Sequence, residues 1–333
     1  MTTSESILVT GAGGGVGQSI IKALAGSGLA MVGVDADGLA TGLQAVPIAY
    51  RVPRADDPAY VPTLVDLCAR EQCRLIFPGL DPELPVLSAA AASFTETGVT
   101  VVVSEPDVIR TGDDKLETAV FLAKRGFPAP ETVAYRDEVD PSWLPVVLKP
   151  RWGGSRSAGV FVAKTIEQLR AAQRLIDPAN CVVQEYLAGD EYTCGTVNFD
   201  GQCHGPIVMR RELRGGDTYR AEVIRDETIE SRVSAVAQAL WPFGACNFQL
   251  RLRAGEPVIF EINPRCSGTT AARALAGFNE PLMIASHLLQ NRTPEYTIQP
   301  LTILRYWAEL VASPDRLADL SAGRRSTGKV WQL

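Results

Sequence analysis

Short apolar runs alternate with amphipathic stretches along the first third of the chain. Runs rich in apolar and β-branched residues at 6–10, 31–35, 74–77 and 99–103 are typical of buried strands. Strands that alternate with helices in this way form a parallel sheet. We therefore expect a doubly wound α/β domain over residues 1–112. Its predicted helices are at 18–25, 58–71 and 85–97.

The amino-acid composition changes at residues 111–115, which indicates a domain boundary. We divide the rest of the chain into two units, 113–187 and 188–333. The first unit has strand-like runs on both sides of a glycine cluster, followed by a helix and a buried strand. The second has successive strands that we interpret as antiparallel. The predicted helices are at 115–125, 166–176, 227–241 and 281–291, and the predicted strands are at 146–149, 159–163, 181–185, 192–199, 201–209, 219–224 and 302–307.

Residues 245–265 predict a hairpin with one polar face. Its strands are 246–253 and 257–262, and a turn at 254–256 joins them. Side chains alternate along a strand, so every second residue faces the same side. The polar residues on that side are Asn247, Gln249 and Arg251 of the first strand and Glu261 and Asn263 of the second.

The polar face of this hairpin has the chemistry of a site for a metal-bound phosphate. The oxygens of Glu261, Asn263 and Gln249 suit a hard cation such as Mg²⁺. Pro264 ends the strand, and Arg265 follows the oxygens at once with a guanidinium suited to phosphate. The alternative is a hairpin with one solvated face.

Two glycine-rich segments are candidates for phosphate binding. Residues 11–17 form a GxGxxxG variant of the dinucleotide fingerprint, with Asp35 placed for a ribose. A tight turn between a strand and a helix needs glycine whether or not it binds phosphate, so this signal for a dinucleotide site is weak. Residues 150–158 form a long loop with adjacent glycines and two arginines, which suits folding backbone N–H groups over polyphosphate beside Lys149. A disordered basic loop is the alternative.

Several other charged residues have more than one interpretation. Asp81 and Glu83 follow a strand where open α/β sheets bind ligands, but helix N-terminal acids stabilised by the macrodipole fit equally well. A basic run before residues 215–216 fits either a solvated loop or a clamp for an anionic substrate. That run consists of Arg210, Arg211 and Arg214, and Arg273 on a later helix is a further candidate.

Composition narrows the classes of function. The 333 residues carry a formal net charge of −6, which argues against nucleic acid as a partner. Seven cysteines without a CxxC pair suit free thiols in a reducing cytoplasm, and two histidines are too few for a multi-histidine metal centre. No apolar run approaches the ~20 residues that cross a bilayer. We expect a cytoplasmic protein that does not bind membranes and has no signal peptide.

The segments LKPRWGGS, QEYLAGDEY, CNFQLRL and FEINPRCSG occur in one order and spacing. In this combination the chain resembles the ATP-grasp superfamily, and its carbamoyl-phosphate-synthase-like branch in particular. The resemblance covers nearly the whole chain. It implies a Rossmann-like pre-ATP-grasp domain followed by a two-part ATP-grasp fold that closes on a nucleotide, in which residues 11–17 form a pre-ATP-grasp turn.

The resemblance also implies roles for particular residues. Lys115 and Lys149 match the basic residues that contact the phosphates of ATP, and Gly153, Gly154 and Ser155 match the flexible loop that covers them. Glu185, Tyr186 and Leu187 match the adenine hinge, and Glu191 matches the ribose-binding acid. Gln249, Glu261 and Asn263 match the ligands of two Mg²⁺ ions, and Arg265 matches the arginine that stabilises the transferring phosphoryl group.

One departure from the family pattern concerns Gln249, because many members have an acid at this position. Glutamine supplies an oxygen without charge, so one Mg²⁺ would depend more on nucleotide phosphate.

The implied activity is an ATP-dependent carboxylate–amine ligase that forms an amide through an acyl phosphate, in a chain that resembles folds often found as homodimers. Arg210, Arg211, Arg273, Asp81 and Glu83 are candidates for holding its substrates. The alternatives are phosphorylation of bicarbonate or carbamate, a nicotinamide-dependent oxidoreductase that uses residues 11–17, and a non-catalytic nucleotide sensor.

Overall fold

The computed structural model describes residues 5–135, 141–153, 158–328 and 330. Three sheets organise these residues, and each sheet has helices packed against it. In the described ranges no helix combines the length and the apolar character that a membrane span requires.

The first sheet is mostly parallel. Its strands in chain order are β1 (Ser6–Val9), β2 (Ala30–Asp35), β3 (Ile48–Arg51), β4 (Cys73–Phe77), β5 (Thr100–Val101) and β16 (Ser326–Thr327). Their spatial order is β16-β3-β2-β1-β4-β5, and only β16 runs antiparallel to its neighbour. The helices of this part of the chain are α1 (Gly15–Leu24), α2 (Tyr60–Glu71), α3 (Glu83–Ala89), α4 (Ala91–Thr95), α5 (Pro106–Asp113) and α11 (Pro314–Ser321).

Alternate residues of the central strand of this sheet enter two different cores. Ile7 and Val9 of β1 belong to one buried cluster, whereas Leu8 belongs to the cluster on the opposite face. A parallel sheet buried on both faces is the doubly wound arrangement, so the predicted fold class is confirmed. The sequence pattern missed β3, and the predicted helix at 85–97 is divided into α3 and α4.

The second sheet has four antiparallel strands in the order β6-β9-β7-β8. These are β6 (Thr132–Ala134), β7 (Val146–Lys149), β8 (Phe161–Ala163) and β9 (Val182–Glu185), accompanied by α6 (Lys115–Lys124) and α7 (Ile166–Gln173). Its core is separate and includes Val146, Leu148, Leu169 and Val183. Of the predicted glycine loop, Gly153 is described, whereas Gly154 and Ser155 lie outside the described residues.

The third sheet is antiparallel, in the order β14-β13-β10-β11-β12-β15. Its strands are β10 (Glu191–Phe199), β11 (Gln202–Arg214), β12 (Asp217–Ile224), β13 (Gly244–Arg253), β14 (Glu256–Asn263) and β15 (Thr302–Leu304), and its helices are α8 (Glu227–Leu240), α9 (Thr270–Leu275) and α10 (Glu280–Gln290). Helix α8 packs against one face, where Cys194, Phe248 and Ile262 are buried with Val233. The residues that alternate with these therefore face the opposite side.

The hairpin predicted at 246–262 is β13–β14, and it contains a bulge. Ala254 and Gly255 both have positive φ, 52° and 84°, which is the geometry of a type I′ turn. Pairing is regular from Arg253 opposite Glu256 to Leu250 opposite Ile259, and it then shifts. The shift leaves Phe260 as the extra residue and brings Glu261 opposite Gln249. Without it, Gln249 would stand opposite Phe260.

Two further details differ from the sequence-based expectation. The basic run that ends at Arg214 lies within strand β11, which extends past residue 209 because it pairs with β12. The last segment of the chain returns to the first sheet through β16, although the boundary at 188–333 groups it with the third sheet. The domain boundaries themselves stay a prediction.

Candidate active site

A cavity of about 800 Å³ lies where the three sheets meet. Its wall contains residues of all three units, among them Asp81 of the first, Lys149 of the second and Glu261 of the third. A large cleft with converging charged groups is the strongest candidate for a ligand site in a structure of this kind. Most of the residues proposed from the sequence line this cavity.

The acidic hairpin residue sits in a cluster with two amides. Glu261 Oε1 accepts hydrogen bonds from Gln249 Nε2 at 3.2 Å and from Asn263 Nδ2 at 3.1 Å. Within the described ranges no three Asp, Glu, His or Cys side chains form a metal-binding group. The donor set of one carboxylate and amide oxygens fits Mg²⁺ that takes its other ligands from a bound phosphate.

The amide oxygen of Gln249 already faces a cation, as does that of Asn263, which accepts a hydrogen bond from Arg265 Nη2. Arg211 Nη2 donates to Gln249 Oε1 at 2.7 Å and to Glu191 Oε1 at 2.5 Å. The amide would have to turn before its oxygen could bind a metal ion. The role of Gln249 as a ligand therefore stays a prediction.

Glu191, the predicted ribose-binding acid, lies between two arginines. Arg211 contacts one carboxylate oxygen, and Arg251 Nη2 donates to the other at 2.9 Å. Burial acts to raise the pKa of Glu191, but the two guanidinium groups outweigh it and hold the pKa below its usual range. The carboxylate is thus kept charged at the cavity wall.

Both predicted lysines reach the cavity. Lys149, at the end of β7, is buried, and its Nζ lies 3.4 Å from the carbonyl oxygen of Phe260. Burial lowers the pKa of Lys149 to about 8, against a smaller opposing effect from Glu261. Lys115 Nζ donates to the carbonyl of Gly153 at 2.9 Å, which ties the start of α6 to the glycine loop.

Arg265 is fixed by an acid from a different unit. Its Nε and Nη2 donate to the two oxygens of Asp81 at 2.6 and 3.0 Å, and Nη2 also donates to Asn263 Oδ1 at 3.1 Å. Burial acts to raise the pKa of Asp81, but Arg265 holds it below the ordinary value. This bidentate pair joins the first and third sheets at the cavity.

The predicted hinge forms the side of the cavity near β9. Arg253 Nη1 contacts both oxygens of Glu185, at 3.1 and 2.9 Å. Arg251 Nη1 donates to the carbonyls of Leu187 and Gly189 at 3.0 and 3.1 Å, which fastens the hinge to the third sheet. Tyr186 and Leu187 line the cavity here together with Val147 and Val162, an apolar wall suited to a flat base.

Three candidates for holding a substrate are not at the cavity wall. Arg210 points to the exposed side of β11 and pairs with Glu222, because neighbouring residues of a strand face opposite ways. Arg273 is fully buried in an ion pair with Glu280. Glu83 is buried and accepts hydrogen bonds from Thr10 and from the backbone at Leu80. Direct contact of these three side chains with a substrate has no support in this geometry.

The glycine turn before α1 lines the cavity, but neighbouring protein atoms already explain its glycines other than Gly15. A Cβ at Gly13 would lie 2.6 Å from that of Ala40, and one at Gly17 would lie 2.2 Å from the carbonyl oxygen of Gly11. The acid proposed for a ribose, Asp35, accepts a hydrogen bond from the N–H of Gly13 at 2.8 Å. Close packing accounts for this turn, which weakens the case for a dinucleotide.

Sequence reasoning missed several residues of the wall. Arg305, which comes just after β15, donates hydrogen bonds to the carbonyls of Thr218 and Gly268. No local pattern marks it, because only the pairing of β15 with β12 brings it to the cavity. The sequence places Asn247 on the polar face of the hairpin with Gln249, but the prediction gives it no role in the site. Other unpredicted wall residues include Thr193, Ser267, Gly268 and Thr269.

Two family models match separate parts of the chain. The model of the PylC-like N-terminal domain matches residues 7–102, which include strands β2 to β5 and all of β1 except Ser6. The model described as ATP-grasp in the biosynthetic pathway with Ter operon matches residues 177–308, which include all of the third sheet.

One curated relative and two solved structures extend these matches. The large chain of carbamoyl phosphate synthase from Thermomicrobium roseum is 24% identical over 203 residues, which are 54% of this chain and 18% of that protein. The chain therefore spans less than a fifth of the length of this relative.

The two structures share the fold at low sequence identity. The L-amino acid ligase from Bacillus licheniformis has a TM-score of 0.68 and 16% identity, covering 90% of this chain and 76% of that one. The biotin carboxylase domain dimer of the Hydrogenobacter thermophilus 2-oxoglutarate carboxylase, in complex with MgADP and bicarbonate, has a TM-score of 0.67 and 16% identity, covering 88% and 71%. The chain thus carries a PylC-like N-terminal domain over residues 7–102, followed by an ATP-grasp domain over residues 177–308.

Proposed function

We propose that this protein is an ADP-forming ligase that joins a carboxylate to an amine through an acyl phosphate. The observation that carries the proposal is the convergence, in one cavity, of Lys149, Lys115, Arg265 and the Glu261–Asn263 pair. These are the charges and oxygen ligands that phosphoryl transfer needs, since its catalysis is mainly positioning and neutralisation of phosphate charge.

The proposed first step is attack of a substrate carboxylate on ATP. A bond forms between the carboxylate oxygen and the γ-phosphorus, and the bond between that phosphorus and the β,γ-bridging oxygen breaks, which releases ADP. Mg²⁺, when bound by Glu261 and Asn263, would neutralise phosphate charge and hold the phosphates in line. Lys149 and Lys115 add positive charge on the side of the glycine loop.

Arg265 is the residue best placed to stabilise the group in transfer. Asp81 holds its guanidinium bidentately, so little reorganisation is needed when charge develops on the phosphoryl oxygens. In the second step the amine nitrogen attacks the acyl carbon, a C–N bond forms, and the C–O bond to phosphate breaks. Phosphate leaves and the amine loses a proton.

A second candidate is phosphorylation of bicarbonate or carbamate in place of an organic acid. It is favoured by the similarity to the carbamoyl phosphate synthase large chain and by the shared fold with a carboxylase domain whose complex contains bicarbonate. Phosphate release that depends on bicarbonate alone would support this candidate. Release that requires an organic carboxylate and an amine would support the ligase.

The proposal is tested by binding and then by turnover. We expect MgADP and MgATP to raise the melting temperature of the full chain, because a ligand that binds only the folded state stabilises it. A screen of amino acids and other small carboxylates, with and without amines, for phosphate release from ATP would then identify the substrates. Absence of any nucleotide binding would overturn all the ATP-dependent proposals, and quenching of NADH fluorescence would favour the oxidoreductase.

For Glu261→Gln we expect loss of turnover, by about 100-fold or more, with the fold retained. The change removes the one carboxylate of the cluster but keeps its shape. Glu256→Gln is a matched control, because Glu256 begins the same strand and is exposed. Turnover is measured as phosphate release, and the melting temperature reports the fold. Unchanged turnover in Glu261→Gln would remove the hairpin from the mechanism.

We also propose that the protein is cytoplasmic, binds two Mg²⁺ ions and assembles as a homodimer. Sedimentation of the full chain with and without MgADP would determine the assembly state. A monomer under both conditions would contradict the dimer.

A further inference from the structure

Asn247 is a buried amide on the wall of the cavity. Only 2% of its surface is exposed, yet it lines the cavity directly. It stands opposite Asn263 in the pairing of β13 with β14, next to the cluster that contains Glu261. Its position at the proposed phosphoryl-transfer site raises the question of which amide atom faces the ligand.

A hydrogen-bond network behind the wall fixes the orientation of this amide. Arg273 Nη2 donates to Asn247 Oδ1 at 2.5 Å, and Thr193 Oγ1 donates to the same oxygen at 2.7 Å. A guanidinium has donors and no acceptor, so the amide atom beside it must be the oxygen. The NH₂ group of Asn247 therefore points away from Arg273, and no described side chain or carbonyl accepts a hydrogen bond from it.

Arg273 is itself held in place by an enclosed partner. Its Nη1 donates to Glu280 Oε1 at 2.6 Å, and both side chains are 0% exposed. Gly195 on β10 leaves the space for this pair, since a Cβ there would lie 2.3 Å from Arg273 Nη1 and 2.4 Å from Glu280 Oε1. The pair cannot reach a substrate, and it acts on the cavity only through the groups it contacts.

We infer that Asn247 is a fixed hydrogen-bond donor to an anionic oxygen at the reacting centre, and that the Arg273–Glu280 pair is its positioning device. The inference rests on the proposed function, which brings a phosphoryl oxygen to this wall. Turning the amide to present its oxygen would place NH₂ against a guanidinium in a buried site. The wall therefore accepts an anion at Asn247 and rejects a metal ion there.

The test uses the full chain saturated with MgADP, into which inorganic phosphate is titrated by calorimetry. Asn247→Asp keeps an oxygen for Arg273 but replaces the donor on the cavity side by a negatively charged acceptor. We expect the affinity for phosphate to fall by about 10- to 100-fold, the range for loss of one hydrogen bond to a charged group. The affinity for MgADP should change less than about twofold.

Asn198 offers a matched control on the same sheet. It is equally buried, at 2% exposure, but its amide bonds within the protein to Thr196 and to the carbonyl of Gly244. Asn247→Ala should weaken phosphate binding by about 10-fold, whereas Asn198→Ala should leave it unchanged even if it lowers the melting temperature. Equal phosphate affinity in Asn247→Asp and the wild type would overturn the inference.

The positioning role is tested by removing both charges together. Arg273→Met alone would leave Glu280 buried without its partner and endanger the fold, so the double variant Arg273→Met/Glu280→Leu is preferred. We expect it to fold, to bind MgADP normally and to bind phosphate about 3- to 10-fold more weakly, because the amide can then turn. Wild-type phosphate affinity in the folded double variant would refute the positioning role.

The outcomes also separate this inference from the proposed function. If wild-type protein fails to bind MgADP, the proposed function falls and the inference falls with it. If MgADP binds but phosphate does not bind to the wild-type complex, or binds equally well to Asn247→Asp, the inference alone is overturned.

Discussion

The charge of Lys149 depends on its buried surroundings. Burial lowers the pKa of its amine from an ordinary value of 10.5 to about 8, and Glu261 and Glu191 offset only part of this effect. In the nucleotide-free protein the amine is therefore half protonated near pH 8. Bound phosphates would favour the charged form, so nucleotide binding and protonation of Lys149 should be linked.

We expect the affinity for MgADP to fall as the pH rises above about 8, by up to tenfold per pH unit, because binding requires the charged amine. The measurement is calorimetric titration between about pH 7 and pH 9.5, repeated in buffers of different ionisation enthalpy to detect proton uptake. Lys149→Met should bind more weakly and lose this pH dependence. Lys164→Met, which alters an exposed lysine just after β8, should keep the wild-type profile. A wild-type affinity that is constant over this range would contradict the prediction.

Alternation along strands predicted part of the site at the scale of single residues. It correctly put Gln249 on the same face as Asn247, both of which line the cavity. It could not separate Arg210 from Arg211, because the basic run appeared to lie beyond the strand. The pairing of β11 with β12 lengthens that strand, and the two arginines then face opposite sides. Long-range pairing of this kind leaves no local signal.

At the scale of elements, the β13–β14 hairpin shows what a pattern of polar residues can and cannot predict. The turn and both strands follow from the sequence, and the I′ turn at Ala254 and Gly255 fixes the pairing near it. That pairing alone would place Phe260 opposite Gln249. The bulge corrects the register so that Glu261 meets Gln249, and nothing in the alternation of 257–262 reveals it. Alternation thus predicts the strand on which Glu261 lies, but it does not predict the bulge that brings Glu261 opposite Gln249.

The glycine turn before α1 leads to a prediction at the same scale. A Cβ at Gly17 would meet the carbonyl oxygen of Gly11 at 2.2 Å, whereas one at Gly15 would have no neighbour within 4 Å. Gly17→Ala should therefore lower the free energy of unfolding by about 1–3 kcal/mol, as overpacking against backbone usually does. Gly15→Ala is the control in the same helix and should be neutral or slightly stabilising. Chemical denaturation measures both.

The two variants also bear on what the turn is for. If Gly17 serves only packing, the purified variant should bind MgADP with wild-type affinity at temperatures where it is folded. Equal stability of Gly17→Ala and Gly15→Ala would contradict the packing explanation and revive a role for the turn in binding a dinucleotide.

At the scale of the whole molecule, the last described helix and strand belong with the first sheet. Helix α11 and strand β16 return from the third sheet to the first, and β16 pairs with β3. Arg316 of α11 is buried, and its Nη2 donates to the carbonyls of Leu43 and Val46 at 2.6 and 2.7 Å. These two bonds fasten the C-terminal segment to the first domain across some 270 residues of sequence.

The first and third sheets also share one hydrophobic core. The cluster that contains Ile7 and Val9 of β1 continues through Val197 and Phe199 of β10 without a break. The second sheet has its own core around Leu148 and Val183. Residues that share a core tend to unfold together. We therefore expect the first and third sheets to form one cooperative unit, with the second sheet as a separate one.

Arg316→Leu tests this arrangement. The change leaves two buried carbonyls without their donor, which should cost about 2–4 kcal/mol of unfolding free energy. Because the first and third sheets share a core, the loss should appear as one shifted transition that includes both, while the second sheet is unaffected. Arg324→Leu is the matched control, since its ion pair with Asp319 is largely exposed and exposed pairs contribute little.

Hydrogen exchange followed by mass spectrometry distinguishes the units in Arg316→Leu. Peptides from β1 and from β10 should lose protection by the same factor, because a shared core makes their opening a single event. Peptides from β7 and β9 should exchange as in the wild type. If only the peptides around β1 and β3 lose protection, the first sheet unfolds by itself. In that case the shared core would not couple the PylC-like domain to the sheet that carries Glu261, and the cavity would lose one wall while the other stayed folded.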